Sequence, residues 1–139
     1  MKPEKKYLTR RIIACIIDYG LILVYTGVHF SLFGELNEEG GYTLRGLPAL
    51  SVRAFWGVLT IGMEQVFSAT IGNIITGIKP SSLEDDGSHK ISFSQSIKRH
   101  LLDPIDLFFF GLVAFICISS TQKGQRLGDL WAKTKIVKA

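Results

Sequence analysis

Three apolar stretches alternate with short polar ones along this chain. The first, Ile12 to Phe33, carries one charge, Asp18. At about 1.5 Å rise per residue, a helix of this length crosses a hydrocarbon core of about 30 Å. The second runs from about Ala54 to Ile75 or Ile78 and predicts another span. Glu64 and Gln65 fall near its middle, with Ser68, Thr70 and Asn73 following. The third, Ile105 to Ser120, makes a helix of only about 24 Å. It predicts a re-entrant, kinked element or a short third span.

The polar intervals predict smaller elements. Residues 34–51 contain Gly40-Gly41 and Tyr42-Thr43-Leu44-Arg45, the pattern of a small hairpin ended by Pro48. Lys79 to Lys90 is a polar loop with Asp85-Asp86-Gly87 as a turn; Ile78–Pro80 and Lys90–Phe93 are its candidate flanking strands. Ser92 to Leu102 has Ile97, Leu101 and Leu102 on one side and Lys98-Arg99 on the other, a helix that would lie along the membrane interface. Asp103-Pro104 breaks it. The fold class is therefore an all-α polytopic membrane protein with one domain, residues 1–139, ending in a polar tail, residues 121–139.

Asp18 does not forbid insertion. Roughly a dozen strong hydrophobes favour it by about 4 to 7 kcal/mol, against about 2.5 to 3.5 for one aspartate. The helix enters with a carboxyl group that needs a partner. Arg11, seven residues earlier on the same face, lies about 10 Å away along the axis, too far for direct contact on a straight helix. A basic group from another helix is the expected partner.

Composition agrees: 47% of residues are hydrophobic and mean hydropathy is +0.26. The 16 basic residues against 12 acidic ones would suit nucleic acid, but their placement points to membrane topology. Five precede the first span, and only Arg45 and Arg53 lie between the first two, beside Glu35, Glu38 and Glu39. By the positive-inside rule the N-terminus is cytoplasmic and the Glu-rich loop is outside. A re-entrant third element would leave every basic residue except Arg45 and Arg53 on the cytoplasmic side. The first span is too long for a signal peptide, contains Asp18 and lacks a small-x-small cleavage site, so it is expected to be retained. Cys15 and Cys117 fall in apolar segments and read as small hydrophobes. His29, His89 and His100 have no ligand spacing, and neither a metal nor a cofactor is implied.

Candidate chemistry rests on membrane-embedded carboxyls. Asp18 and Glu64 are the ion- or proton-binding candidates. Glu64 has two open readings: a protonated carboxyl bonded to a neighbouring helix, or a carboxylate that binds protons or cations. Arg99, Asp106, Arg126 and Asn73 are secondary polar candidates. Thr70-Ile71-Gly72-Asn73 also echoes Arg126-Leu127-Gly128-Asp129, each followed by a short apolar stretch and then Lys79 or Lys135.

Taken in order, these pieces resemble the RDD family of membrane proteins, named for one arginine and two aspartates. Arg11-Ile12-Ile13-Ala14-Cys15-Ile16-Ile17-Asp18 resembles its R-x-x-A-x-x-I-D opening. Glu64, Ala69-Thr70-Ile71-Gly72 and Gly77-Ile78-Lys79 resemble its central E…T-x-G-K…G-x-K/R stretch. Residues Gln125 to Val137 resemble its closing L-G-D-x-x-A-x-T-x-V-V. The resemblance makes Arg11, Asp18 and Asp129 the name-giving residues. Two positions depart from the pattern: Asn73 stands where lysine is usual, and Lys133 where glycine is usual.

Two functions stand open. Some family members have been proposed as cation/proton antiporters, which implies a monovalent cation and a proton as exchanged species. Two spans and a half-hairpin do not enclose a pathway alone, so this reading requires a homo-oligomer. The other is an accessory or scaffold subunit of a larger membrane complex, its polar residues fixing helix register. An enzyme is disfavoured, because no nucleophile sits near a base and no phosphate-cradling glycine loop is present. Size and resemblance point to a bacterial inner membrane.

Overall fold

The computed structural model describes residues 7–84 and 89–139. The expected turn at Asp85-Asp86-Gly87 lies outside them. Two helices are long and apolar enough to cross a membrane, Leu8–Phe33 and Gly46–Phe67. A third candidate is a pair bent by 117°, Phe93–Asp106 with Phe108–Ser120.

Helix α1 is Leu8–Phe33. Strands β1 (Glu35–Leu36) and β2 (Tyr42–Thr43) form the expected hairpin, pairing Glu35 with Thr43 and Leu36 with Tyr42. Helix α2 then runs Gly46–Phe67, so the second span begins and ends earlier than the hydropathy pattern suggests. Pro48 does not end the hairpin; it sits in the first turn of α2, where its missing N–H has no intrahelical partner to lose. At the other end Ser68 turns left-handed, with φ 63°. The Thr70 hydroxyl then accepts from the Asn73 N–H at 3.4 Å and starts a new helix, α3, Ile71–Thr76. Hydropathy runs smoothly across this break because Ile71, Ile74 and Ile75 are apolar in either arrangement. A π-helical stretch, Val58–Gly62, interrupts α2. Near the hairpin the Tyr25 ring stacks on Phe55 at 3.9 Å, and its hydroxyl lies 2.6 Å from Ser51 Oγ, joining α1 to α2.

Strand β3, Ile78–Ser82, follows α3. Its partner is not Lys90–Phe93, which is not a strand, but β4, Thr134–Lys138, paired antiparallel from Ile78↔Lys138 to Ser82↔Thr134. Thr134 and Ile136 are buried on one side of β4, a half-buried alternation. Helix α4, Phe93–Leu101, is set by a capping box between Ser92 and Gln95. Short α5, Asp103–Asp106, holds Pro104 in its first turn, and α6, Phe108–Ser120, follows. Helix α7 is Leu127–Ala132.

Helix α4 reverses the expected orientation. Gln95, Ser96, Arg99 and His100 are buried, whereas Phe93 and Leu101 are 61% and 59% exposed. Polar groups inside and hydrophobes outside suit a helix whose surroundings are apolar, since buried polar groups there must pair within the protein. Among the described residues the packed cluster of buried hydrophobes is small: Ala14, Ile78 and Ile136 with Tyr7 against them.

Candidate functional site: a buried arginine–carboxylate network

Helices α1, α2, α4, α5 and α7 converge on one buried polar cluster. Asp129, fully buried, lies at its centre. Its carboxylate pairs with Arg99 and, at 2.6 Å, with Arg11 Nη2. It also accepts the Arg126 N–H at 3.2 Å, which fastens the first turn of α7. Burial alone would raise this carboxyl; the positive charges of Arg99, Arg11 and Arg126 outweigh it and hold the group well below the ordinary carboxylate value. Burial likewise pulls the Arg126 guanidinium down, and Asp103, Asp129 and Asp106 more than reverse that.

Around this centre each carboxylate has defined partners. Arg126 Nη1 donates to Asp103 Oδ1 at 2.6 Å, and His100 Nδ1 lies 2.7 Å from Asp103 Oδ2, which also accepts from the Tyr19 hydroxyl. Ser96 Oγ donates to Glu64 Oε2 at 2.5 Å. Glu64 Oε1 lies 3.1 Å from His100 Nε2 and 3.4 Å from Arg99 Nη2, near enough for charge pairing but without hydrogen-bond alignment. Asp106 accepts the N–H groups of Leu127 and Gly128 at 3.0 and 3.1 Å. Among the described residues the network holds four basic side chains (Arg11, Arg99, His100, Arg126) against four carboxylates (Glu64, Asp103, Asp106, Asp129). It is close to charge-neutral, the condition under which buried charges are tolerated.

Asp18 stands apart. It is 8% exposed, and its partners are the Thr70 hydroxyl at 2.6 Å and the Gly72 N–H at 2.7 Å. The expected basic partner is replaced by the first turn of α3, whose N–H groups lack intrahelical acceptors. Arg11, on the same helix, turns instead to Asp129 and to the Gly124 carbonyl at 2.5 Å. Glu64 is also displaced from expectation: it lies in the last turn of α2, not at the middle of a span. Asp18 and Glu64 both face protein, but in different surroundings.

The two echoing segments occupy equivalent places. Helices α3 and α7 each end at a left-handed residue, Gly77 (φ 67°) and Lys133 (φ 52°), and each leads into one of the paired strands. A Cβ on Gly72 would collide with the Ala14 backbone, and one on Gly128 with the Arg99 backbone. Four residues beyond Ala14 and Arg99 come Asp18 and Asp103, which bind Thr70 and Arg126 at matching positions of the echo.

Beside the network lies a cavity of about 820 Å³ between α1 and α6. Asp18, Tyr19, Arg99, His100, Asp103 and Arg126 contribute to its polar end, together with Arg11, Thr70 and Asn73. Ile12, Ile16, Leu23, Leu112 and Phe115 line the rest. Among the described residues no group of three or more His, Cys, Asp or Glu is placed to hold a metal ion.

Of the candidates read from sequence, Arg11, Glu64, Arg99, Asp106, Arg126 and Asp129 join one network; Asp18 and Asn73 line the adjoining cavity. Sequence reasoning missed His100, Asp103, Tyr19 and Ser96. The signal was available: Arg99, Asp103 and Asp106 recur at helical spacing beside an apolar run, where charges seek partners.

Two helices long and apolar enough to cross a membrane, packed with a buried arginine–aspartate core, fit an integral membrane protein. The chain belongs to the RDD family: the family's sequence profile matches residues 7–133. No curated protein and no solved structure matches it significantly.

Proposed function

We propose that this RDD protein is a proton-coupled cation exchanger of the bacterial inner membrane, working as an oligomer, with Asp18 as the group that alternately holds proton and cation. One observation carries the reading: Asp18 is a buried, cavity-lining carboxylate held by neutral donors, with no guanidinium or imidazole bonded to it. A carboxylate already neutralised by arginine has little affinity left for a proton or a metal cation; one held by a hydroxyl and an N–H keeps it. Tyr19, Asp103, His100 and Glu64 form a row of exchangeable groups leading from the same cavity into the network. An imidazole between two carboxylates is a suitable relay, since either nitrogen can give up a proton. The basic residues preceding α1 support a cytoplasmic N-terminus. Exposed hydrophobes along α1, including Val24 at 68% and Leu32 at 68%, leave room for lipid or for neighbouring copies.

The test is proton flux in proteoliposomes with a trapped pH dye, pulsed with Na⁺, Li⁺ or K⁺. Saturable flux in the wild type, lost in folded Asp18→Asn, is the expected result. Absence of flux from folded, inserted protein overturns it. A second reading, an accessory scaffold subunit, is favoured by the saturation of Asp129, Asp103 and Asp106 with protein partners. On that reading Asp18→Asn loosens assembly with a partner and there is no flux to lose.

A further inference from the structure

The cavity between α1 and α6 is amphipathic in a specific way. Three arginines (Arg11, Arg99, Arg126) and His100 contribute to its polar lining, against two acidic residues, Asp18 and Asp103. Arg99 is 2% exposed, and its Nε is buried without a hydrogen-bond partner. The remaining wall is aliphatic and aromatic, drawn chiefly from α1 and α6, and opens to the outside of the molecule, since Ile16, Leu23 and Phe110 line it and are exposed. A volume of about 820 Å³ falls within the range of pockets that enclose small organic ligands. The lining carries more basic than acidic side chains, although Glu64, Asp106 and Asp129 behind it bring the whole network close to neutral. Basic pockets between apolar helices are the arrangement that recognises anionic lipid headgroups. A soluble anion would use the polar end and leave the apolar wall empty; a neutral hydrocarbon would do the reverse.

We propose that this cavity binds one membrane phospholipid with an anionic headgroup, the phosphate seated at Arg126, Arg99 and His100 and an acyl chain lying between α1 and α6. The proposal does not rest on proton or cation exchange. Two positions allow the site to be altered without touching the charge network. Gly20 lines the cavity, and a Cβ there meets nothing within 4 Å. Gly20→Leu therefore fills the acyl space while improving helix propensity. Asn73 also lines the cavity, and Asn73→Lys adds an ammonium to its polar end.

The experiment uses the full chain in mild detergent. Retained lipid is measured by native mass spectrometry, and thermal stabilisation is measured on adding phosphatidylglycerol, phosphatidylcholine or inorganic phosphate. The expected result is one retained lipid, with phosphatidylglycerol preferred over phosphatidylcholine about tenfold. Gly20→Leu should lose that lipid with an unchanged or higher melting temperature in lipid-free detergent, and Asn73→Lys should widen the preference. Equal stabilisation by both phospholipids overturns the headgroup assignment. Equal stabilisation by inorganic phosphate in wild type and Gly20→Leu overturns the lipid in favour of a free anion. Undiminished lipid retention by Gly20→Leu, or an unmoved preference in Asn73→Lys, overturns the location.

Discussion

The first half of the molecule and the second are built on one plan with different chemistry. In the first, α1 carries Ala14 and Asp18, and α3 answers with Thr70, Gly72 and Asn73. In the second, α4 and α5 carry Arg99 and Asp103, and α7 answers with Arg126, Gly128 and Asp129. The geometry matches: a glycine against a backbone carbonyl, a carboxylate bound by the residue two before that glycine, and a strand that pairs with its counterpart. The charges do not match. Alanine, threonine and asparagine in one half become two arginines and an aspartate in the other. The second half thus centres an ionic core that Arg11 and Glu64 join from the first, and the first presents Asp18, bonded among the described residues only to neutral donors. A shared backbone device supports both a charge-saturated centre and a carboxylate held by neutral donors, according to three side chains.

The largest expected effect comes from the ionic core. Asp129→Asn removes the charge that three guanidiniums share and leaves them buried and under-compensated, at a cost of about 3–5 kcal/mol. Denaturant unfolding in detergent measures it. Loss below about 1 kcal/mol would mean that the network rearranges around the amide and is not locked. The same carboxyl sets an acid limit. Its folded pKa is depressed, so its contribution is complete above the ordinary unfolded value near 3.9 and fades as pH falls toward the folded value. Stability should be flat in this respect from pH 5 to 8, then decline below about pH 4, with Asp129→Asn showing the shallower decline.

The shared backbone device is broken by Gly72→Ala and Gly128→Ala. Each methyl meets a backbone that cannot rotate aside, and a loss of about 1–3 kcal/mol is expected at both positions. Comparable melting-temperature drops would sharpen the parallel; a drop at only one would break it.

Asparagine substitution should then separate two aspartates that hold helix starts from another element, Asp18 and Asp106. Asp106 accepts two N–H groups, one on each oxygen, so Asp106→Asn aims an amide NH₂ at a backbone donor and costs about 1–3 kcal/mol. Asp18 accepts one N–H and one hydroxyl, and an amide can keep the first while donating to Thr70 Oγ1. Asp18→Asn should cost less than about 1 kcal/mol, which is why it serves as the flux test. Equal losses would show that Asp18, too, is chiefly structural.

The smallest effect is a gain. Lys133 holds the left-handed position that Gly77 holds in the first half. Lys133→Gly relieves a conformation that disfavours side chains and should stabilise by about 0.5–1 kcal/mol in thermal unfolding. No gain would indicate that the lysine side chain offsets the cost, for which its 3.9 Å approach to Glu84 is the candidate.

Much of this was legible in the chain. Twenty-two consecutive residues with one charge have few alternatives to a long apolar helix. Arg11, Asp18 and Glu64 stand out because charges in or near such runs need partners, whereas Asp129 stands out only through the family resemblance. The partners were not legible. Asp18 found a helix start in place of a base, and the end of α2 was hidden because isoleucines continue past Ser68. Helix α4 read as an interfacial helix with its charges outward, because amphipathic periodicity gives a polar face without saying which face is inside.

The sequence by itself determined which segments are strongly apolar and that several charges beside them would need buried partners, since each of these follows from local composition and spacing. Only the tertiary structure decided the pairing. A carboxylate's partner depends on which helix end or guanidinium arrives within about 3 Å of it, and that is fixed by the meeting of β3 with β4 and of two glycines with the backbones beneath them. Those contacts join residues far apart in the chain, where no local pattern reaches.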